Sequence, residues 1–431
     1  MQQSAFHIMT KPVGPLCNLG CTYCFYLEKE RLYPDTRKWE MPPEVLETYI
    51  REYIRSQSTD PVTFAWQGGE PTLLGVDFFE RVIALQAKYA EGKRIQNALQ
   101  TNGTLLDNRW GEFLARNNIL VGLSIDGPRE LHDYYRVDKG ATGTFDRVIR
   151  GLEVLKEHKV EFNTLTVVNR HNSTFPLDVY RFLKQIGSRF MQFIPVVERK
   201  AEMPAQNGLV LVQPSFGGRT EVTDWSVEPL AYGHFLSSIF DEWVKQDVGT
   251  VYIQHFDVAL ESWLGMEPSL CVFGRTCGSA MALEHGGDLY SCDHYVYPEN
   301  RLGNIMESNL PAMADSPQQK AFGQSKLDTL PQMCRNCSVR FACNGECPKH
   351  RFLTTPDGEP GLNYLCAGYK HFFSHIDPFM QFMAQELRAG RAPANVMQIA
   401  GSKPPQQSQR RNALCNCGSG LKAKKCCLKN S

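Results

Sequence analysis

The sequence predicts an α/β fold that is followed by cysteine-rich segments. Between residues 5 and 197, short runs of β-branched and aromatic residues alternate with amphipathic segments of helical length. Such alternation is typical of a parallel sheet covered by helices. About six strand and helix units are present, which favours a partial (β/α)6, TIM-like barrel over a closed eightfold barrel.

The individual elements follow from periodicity. The segments Pro43 to Ser56 and Phe145 to His158 each carry one apolar face at steps of three and four residues, which indicates helices. A short strand is expected before Cys17, and the other strands are Val62 to Trp66, Ile95 to Gln100, Ile119 to Ile125, Phe162 to Val168 and Phe190 to Val197. The polar, Gly- and Pro-punctuated segment 199–226 is interpreted as a long loop or lid, and a helix follows it from Glu228 to Asp247.

Composition excludes several classes of protein. The 431 residues include 46 basic and 46 acidic side chains, so no global charge attracts nucleic acid. No window reaches the roughly 18 apolar residues of a membrane span, and the N-terminus lacks a signal-peptide pattern. We therefore expect a cytoplasmic protein with no nucleic-acid or membrane partner. In that reducing compartment, the 15 cysteines are expected to be metal ligands and not disulfides.

Three of these cysteines form a tight loop, Cys17-x3-Cys21-x2-Cys24. A 4Fe-4S cluster normally takes four thiolates, so three cysteines leave one iron open to a small molecule. The alternatives are a zinc knuckle or unrelated thiols.

Polar and glycine residues follow the predicted strands, where parallel sheets bind their ligands. Gly68-Gly69-Glu70 could bring backbone carbonyls and one carboxylate to a cationic group. Ser124 and Arg136 follow a later strand, and arginine is a natural partner for a carboxylate. The alternatives are a glycine turn and a solvated charge. The run Gln192 to Glu198 contains Pro195, which would free backbone groups for a planar base.

A second group of cysteines lies in the C-terminal half. It comprises eight residues: Cys271, Cys277, Cys292, Cys334, Cys337, Cys343, Cys347 and Cys366. Eight thiolates satisfy two fully ligated 4Fe-4S clusters. Two zinc sites of four cysteines each are the alternative. A hairpin that turns at 286–288 should bring Cys277 and Cys292 together.

The C-terminal tail forms a separate module after a Pro-, Gln- and Ser-rich linker. It contains Cys415, Cys417, Cys426 and Cys427 within a short segment, which suits a tetrahedral zinc ion. The alternative is a disordered basic tail. We expect domains at 1–227 and 228–390, a linker at 391–411 and the zinc motif at 412–431.

Residues 5–200 resemble the core of radical S-adenosylmethionine (radical SAM) enzymes. The resemblance implies that Cys17, Cys21 and Cys24 ligate the catalytic cluster, whose open iron takes S-adenosylmethionine. It also implies cofactor contacts from Tyr23, Gly68, Gly69, Glu70, Ser124, Arg136 and the backbone near Val197.

The second cysteine group is similar to the SPASM extension of peptide-modifying radical SAM enzymes. Four segments look like anaerobic sulfatase-maturating enzymes: Cys17 to Tyr26, Gln192 to Glu198, Cys292 to Tyr295 and Gly361 to Cys366. In that family the two auxiliary clusters have interleaved ligands, which here match Cys271, Cys277, Cys292 and Cys347 for one and Cys334, Cys337, Cys343 and Cys366 for the other. The resemblance thus implies three 4Fe-4S clusters, and the tail resembles the SEC-C zinc motif.

The implied reaction converts a cysteine or serine in the active site of a sulfatase to 3-oxoalanine (formylglycine) without oxygen. Asp293 matches the family's base, and its alternative role is to accept backbone hydrogen bonds around Cys292. An external flavodoxin- or ferredoxin-type donor would supply electrons. The basic tail, with Lys422, Lys424 and Lys425, suits an acidic protein partner. Rival hypotheses are a SPASM enzyme that crosslinks or epimerises a peptide, and a non-enzymatic metal-binding scaffold.

Overall fold

The computed structural model describes residues 6–34, 36–202, 209–401 and 422. Strands and helices alternate through the first half of the chain, as predicted. The elements are β1 (His7–Lys11), α1 (Pro43–Ser56), β2 (Val62–Trp66), α2 (Gly75–Tyr89), β3 (Ile95–Thr101), α3 (Asn108–Arg116), β4 (Leu120–Ser124), α4 (Arg129–His132), α5 (Phe145–Glu157), β5 (Phe162–Val168), α6 (Pro176–Gln185) and β6 (Phe190–Pro195). Strands β1 to β6 are parallel neighbours in sequence order, which confirms the partial (β/α)6 barrel.

The second half contains short strands and helices of varied length. They are β7 (Arg199–Ala201), β8 (Thr220–Val222), α7 (Pro229–Gln246), β9 (Tyr252–Ile253), α8 (Gln254–Leu264), β10 (Ala280–Glu284), β11 (Asp288–Tyr290), β12 (Arg301–Asn304), α9 (Leu310–Ala314), α10 (Pro317–Asp328), α11 (Gln332–Arg335), α12 (Arg340–Cys343), β13 (Leu353–Thr354), β14 (Pro360–Leu362), α13 (Cys366–Arg388) and α14 (Val396–Ala400). Two 3-10 helices matter for the site: Leu27–Leu32 and Asp293–Tyr295.

The sheet continues across both halves of the chain. Its order is β12-β11-β10-β1-β2-β3-β4-β5-β6-β9. Strand β10 runs parallel to β1, with His7 opposite Ala280 and Lys11 opposite Glu284. The chain after β10 therefore emerges beside the end of β1. The predicted ranges 1–227 and 228–390 share this sheet, and their boundaries stay a prediction.

Two apolar cores flank the sheet. One joins α1, α2 and α3 to the first strands and includes Tyr49 and Trp66. The other joins β4, β5 and β6 to α7, α8 and α13. Helices α7 and α13 approach closely, since a Cβ on Gly233 would lie 2.5 Å from the Gly368 carbonyl oxygen. Burial of each large apolar side chain contributes about 1.5 to 3 kcal/mol. This packing fixes the start of α13, where Cys366 lies.

The segment expected as a long loop contains an antiparallel strand pair. Strand β7 pairs with β8, with Arg199 opposite Val222. Residues 203–208 and the tail cysteines Cys415, Cys417, Cys426 and Cys427 lie outside the described residues. Within the described ranges, no helix combines the length and apolar character that a bilayer crossing requires.

Candidate active site

The three-cysteine loop follows β1 and is held by backbone hydrogen bonds. Gly20 N–H donates to the Val137 carbonyl at 2.9 Å, and Thr22 N–H donates to the Tyr135 carbonyl at 3.0 Å. Within the loop, Cys24 N–H donates to the Cys21 carbonyl at 3.0 Å. The segment after β4 therefore fixes the loop independently of its thiol groups.

The thiols of this loop suit metal ligation. Burial raises the pKa of Cys17 and of Cys21 to about 12, and the nearby Cys24 raises both further. Burial also raises the pKa of Cys24. Buried thiolates need a compensating positive charge, which a bound metal supplies. Three neighbouring thiols on one loop fit three irons of a 4Fe-4S cluster.

The Gly68-Gly69 turn lies directly against this loop. Gly69 N–H donates to the Gly14 carbonyl at 2.8 Å, and Glu70 N–H donates to the Leu16 carbonyl at 2.9 Å. A Cβ on Gly69 would lie 1.9 Å from the Leu16 oxygen, so no larger residue fits there. The two glycines thus bring the end of β2 against the cysteine loop.

The Glu70 carboxylate accepts hydrogen bonds from the neighbouring strand ends. Glu70 is fully buried. One oxygen accepts hydrogen bonds from the Thr72 N–H at 3.0 Å, the Thr72 hydroxyl at 2.6 Å and the Thr101 hydroxyl at 2.7 Å. The other accepts from the Asn102 N–H at 2.7 Å. These donors tie Glu70 to the strand ends, and its contact with a cofactor ammonium group stays a prediction.

Arg136 forms a buried ion pair that the sequence analysis did not foresee. Its Nε lies 3.1 Å from Asp126 Oδ1. The Tyr23 hydroxyl donates to Asp126 Oδ2 at 2.6 Å, and the Arg136 guanidinium lies 5.6 Å from the Tyr23 ring centre. A buried guanidinium requires a partner, and Asp126 provides it. Tyr23 and Arg136 are therefore brought together behind the cysteine loop.

Ser124 is the last residue of β4, and Val197 lies two residues after the end of β6 at Pro195. The Ser124 hydroxyl accepts a hydrogen bond from Gln100 Nε2 at 3.0 Å. Val197 is buried in the apolar core of the second half of the barrel. Their contacts with a cofactor stay predictions.

Asp293 reaches this region through the pairing of β10 with β1. It begins the 3-10 helix after Cys292 and forms an ion pair with Lys11, the last residue of β1. The Lys11 ammonium also lies 3.6 Å from the centre of the Tyr26 ring, next to the cysteine loop. Burial raises the pKa of Asp293, but Lys11 and other nearby cations lower it below its usual value. The carboxylate is therefore ionised and able to accept a proton.

The C-terminal cysteines form two groups with interleaved membership. Burial raises the pKa of Cys292, and the neighbouring thiols of Cys271 and Cys277 raise it further. Burial also raises the pKa of Cys347, with Cys292 and Cys271 among its neighbours. Lys326 Nζ orders this group by donating to the Cys271 carbonyl at 2.6 Å.

The second group surrounds a cavity of about 270 Å³, which is lined by Cys334, Cys337, Cys343 and Cys366. Burial raises the pKa of Cys366 to about 11, and Cys334 and Cys337 contribute. Among the described residues, no three His, Cys, Asp or Glu side chains are arranged to share one metal ion. A 4Fe-4S cluster spreads four thiolates over four irons, so a cavity between them fits a cluster better than a single zinc ion.

Four charged residues of the site were missed by the sequence analysis: Lys11, Lys29 and Glu198, which are buried, and Lys349, which is partly buried. The sequence contains only a weak indication that these side chains are removed from solvent. Lys29 lies five residues after Cys24 in a segment that is otherwise rich in charge, where lysine is ordinarily exposed. Only the tertiary structure shows that these side chains are buried.

Three families match parts of the chain. The radical SAM superfamily matches residues 12–183, the SPASM iron-sulfur cluster-binding domain matches 271–338 and the SEC-C motif matches 411–429. The barrel and its cysteine loop thus define a radical SAM enzyme with a SPASM extension, which uses S-adenosylmethionine and iron-sulfur clusters.

Similar curated proteins identify the family within the class of radical SAM enzymes. A serine-type anaerobic sulfatase-maturating enzyme of Bacteroides thetaiotaomicron is 49% identical over 91% of this chain and 94% of its own length. The chain belongs to the family of anaerobic sulfatase-maturating enzymes. A cysteine-type enzyme of Clostridium perfringens is 34% identical over 88% of this chain and 99% of its own.

A solved structure supports the same assignment. The structure described as native anSMEcpe with bound AdoMet and Cp18Cys peptide has a TM-score of 0.76 and 34% sequence identity. It matches 88% of this chain and 99% of that chain. The similarity therefore extends through the barrel and the cysteine-rich half.

Proposed function

We propose that this chain converts an active-site cysteine or serine of a sulfatase polypeptide to 3-oxoalanine under anaerobic conditions. The observation that carries the proposal is the position of Asp293, which the Lys11 ion pair holds beside the cysteine loop. The names of the relatives and the peptide in the solved structure support the substrate class.

The proposed cofactor set is S-adenosylmethionine with three 4Fe-4S clusters. Cys17, Cys21 and Cys24 would hold the first. Cys271, Cys277, Cys292 and Cys347 would hold the second, and Cys334, Cys337, Cys343 and Cys366 the third. The proximity of the thiols within each group supports this division. The proposed contacts with S-adenosylmethionine come from Tyr23, Gly68, Gly69, Glu70, Ser124, Arg136 and the backbone near Val197.

The protein's own residues would remove the proton of the substrate side chain. When bound, the cofactor and its clusters would supply the radical that removes a hydrogen atom from the substrate β-carbon and the route for the second electron. Asp293 would accept the proton of the substrate thiol or hydroxyl. A serine would then give the aldehyde directly, whereas a cysteine would give a thioaldehyde that water hydrolyses with release of hydrogen sulfide. Lys11 keeps Asp293 ionised and limits its rotation through the ion pair.

Mass spectrometry of substrate peptides tests this function. Peptides containing Cys-x-Pro-x-Arg or Ser-x-Pro-x-Arg should gain an aldehyde at the first residue during anaerobic incubation with reductant and S-adenosylmethionine. Peptides with alanine at that residue are the matched control and should remain unchanged. A crosslinked or epimerised product would support the rival SPASM function. Failure to cleave S-adenosylmethionine, together with zinc in place of iron, would support the rival hypothesis of a non-enzymatic metal-binding scaffold.

Two partners are part of the proposal. An external one-electron donor of the flavodoxin or ferredoxin type would reduce the chain, since radical SAM chemistry requires a reductant. The chain would modify the sulfatase in the cytoplasm, because so many metal-ligating thiols require a reducing compartment. The proposed zinc ligands of the tail are Cys415, Cys417, Cys426 and Cys427, and the tail's basic residues would bind an acidic protein.

Deletion of the chain after Gln409 should show whether the tail recruits a protein partner or contributes to catalysis. Turnover of a short peptide should stay unchanged, while maturation of full-length sulfatase in cells should fall. The matched control is the full-length chain with Cys415 and Cys417 replaced by serine, which keeps the length but removes zinc ligands. Equal losses on peptide and sulfatase would place the tail within the catalytic fold. No loss on either would contradict the recruitment role.

A further inference from the structure

Two buried lysines, Lys11 and Lys29, and the partly buried Lys349 surround the Asp293 turn. Each ammonium nitrogen lies over an aromatic ring: Lys11 over Tyr26 at 3.6 Å, Lys29 over Tyr297 at 3.3 Å and Lys349 over Phe25 at 4.4 Å. Lys11 pairs with Asp293, and Lys349 pairs with Glu198. Lys29 instead donates to the Val296 carbonyl at 2.9 Å.

Lys29 joins two parts of the site that are distant in sequence. It lies in the 3-10 helix Leu27–Leu32, which continues the cysteine loop. Its two contacts, Val296 and Tyr297, directly follow the 3-10 helix Asp293–Tyr295. A lysine with only 1% exposure is unusual, because removing an ammonium group from water is costly. The tether between the two helices offsets part of this cost.

We propose that Lys29 is a positioning residue, which holds the Asp293 turn against the cysteine loop so that the carboxylate stays beside the reacting carbon. The proposal rests on the proposed function for its catalytic consequence. The tether itself depends only on the fold. Lys29 acts through Asp293 and need not touch the substrate.

Several charged groups surround Lys29. Burial and the nearby Lys349 together lower the pKa of Lys29 to about 7. The other charged groups that face it are Asp293, Lys11 and Glu198, and the Tyr297 ring lies beneath it. The hydrogen bond to the Val296 carbonyl and the contact with the Tyr297 ring compensate part of the cost of burying this group.

Global unfolding and local opening have the same pH dependence. The unfolded chain keeps Lys29 protonated up to its ordinary pKa of 10.5, whereas the folded chain releases that proton near 7. The unfolded state therefore binds more protons in this window, so the contribution of Lys29 to stability rises with pH. A local opening that exposes Lys29 to water takes up a proton in the same way, so the tether does not loosen above neutral pH.

Hydrogen exchange on the intact protein tests the tether directly. Peptides covering 293–297 should exchange about tenfold faster in Lys29→Met than in the unchanged protein at about pH 6. Lys29→Arg should remain protected, because arginine keeps a charged donor at this position. Lys93→Met is a matched control, since Lys93 also donates to backbone carbonyls, those of Ile54 and Gln57. It should leave this segment unchanged.

The ratio of aldehyde to deoxyadenosine gives the second measurement. Lys29→Met should lower this ratio about tenfold, and Lys29→Arg should restore it. Unchanged exchange in Lys29→Met would overturn the proposal, as would a loss of protection in Lys29→Arg equal to that in Lys29→Met. Where Lys29→Met fails to fold, the polar variant Lys29→Gln takes its place in the same comparison. Altered exchange with no aldehyde from the unchanged protein would support the tether and refute the proposed function.

Discussion

Replacement of Cys17, Cys21 and Cys24 together by alanine should abolish cleavage of S-adenosylmethionine and leave about eight of about twelve irons per chain. The reason is that these thiols are the proposed ligands of the one cluster with an open iron. Iron analysis after anaerobic reconstitution and chromatography of deoxyadenosine measure the two effects. The hydrogen bonds that join the loop backbone to Tyr135 and Val137 do not involve thiols, so the variant should keep its fold, although the Leu19 N–H loses its acceptor, Cys17 Sγ.

The matched control removes the same number of thiols from another group. Replacement of Cys334, Cys337 and Cys343 by alanine should also cost about four irons but leave cleavage of S-adenosylmethionine intact. If the unchanged protein reconstitutes with only about four irons, the two auxiliary clusters are contradicted. Cleavage that survives the loss of the three loop cysteines would contradict the assignment of the catalytic cluster.

Local patterns predicted the barrel well. The ends of β2 and β5 and of α1 lie where the sequence placed them. In β2, alternate residues are buried, and in α1 the apolar residues at steps of three and four face the core. Such elements are specified by their own side chains. Their order along the chain then leaves few arrangements of the sheet.

Contacts between distant segments were not predictable in the same way. The hairpin of β10 and β11 was expected, but no local pattern showed that β10 pairs with β1. That pairing brings Lys11 to Asp293. The buried ion pair of Asp126 and Arg136 likewise joins a strand end to a later loop.

For the cysteines too, spacing in the sequence predicted one part of the site, and only the tertiary structure shows the rest. The spacing of Cys17, Cys21 and Cys24 identified one loop without further information. Spacing alone could not divide the eight later cysteines, and the interleaved division was implied only by the family resemblance. The structure places Cys347 near Cys292 and Cys366 near Cys334. Residues Glu346 and Asn363 are hydrogen bonded at 2.7 Å, which joins the chain near both groups.

Asp293→Asn should leave deoxyadenosine formation intact and lower the aldehyde yield by roughly 10² or more. Asparagine keeps the size of the side chain but accepts no proton from the substrate. Hydrogen abstraction precedes this step, so the cofactor should still be consumed. Chromatography of deoxyadenosine and mass spectrometry of the peptide, from the same reaction, measure the two products.

The ion pair with Lys11 complicates this test, because the single variant leaves a buried ammonium group unpaired. Such a loss can cost about 3 kcal/mol of stability and displace the turn. The double variant Lys11→Met/Asp293→Asn removes both charges and should restore stability but not aldehyde formation. Recovery of aldehyde in the double variant would mean that the single variant failed through Lys11 and that Asp293 is not the base. Near-normal yield in the single variant would return Asp293 to a structural role around Cys292.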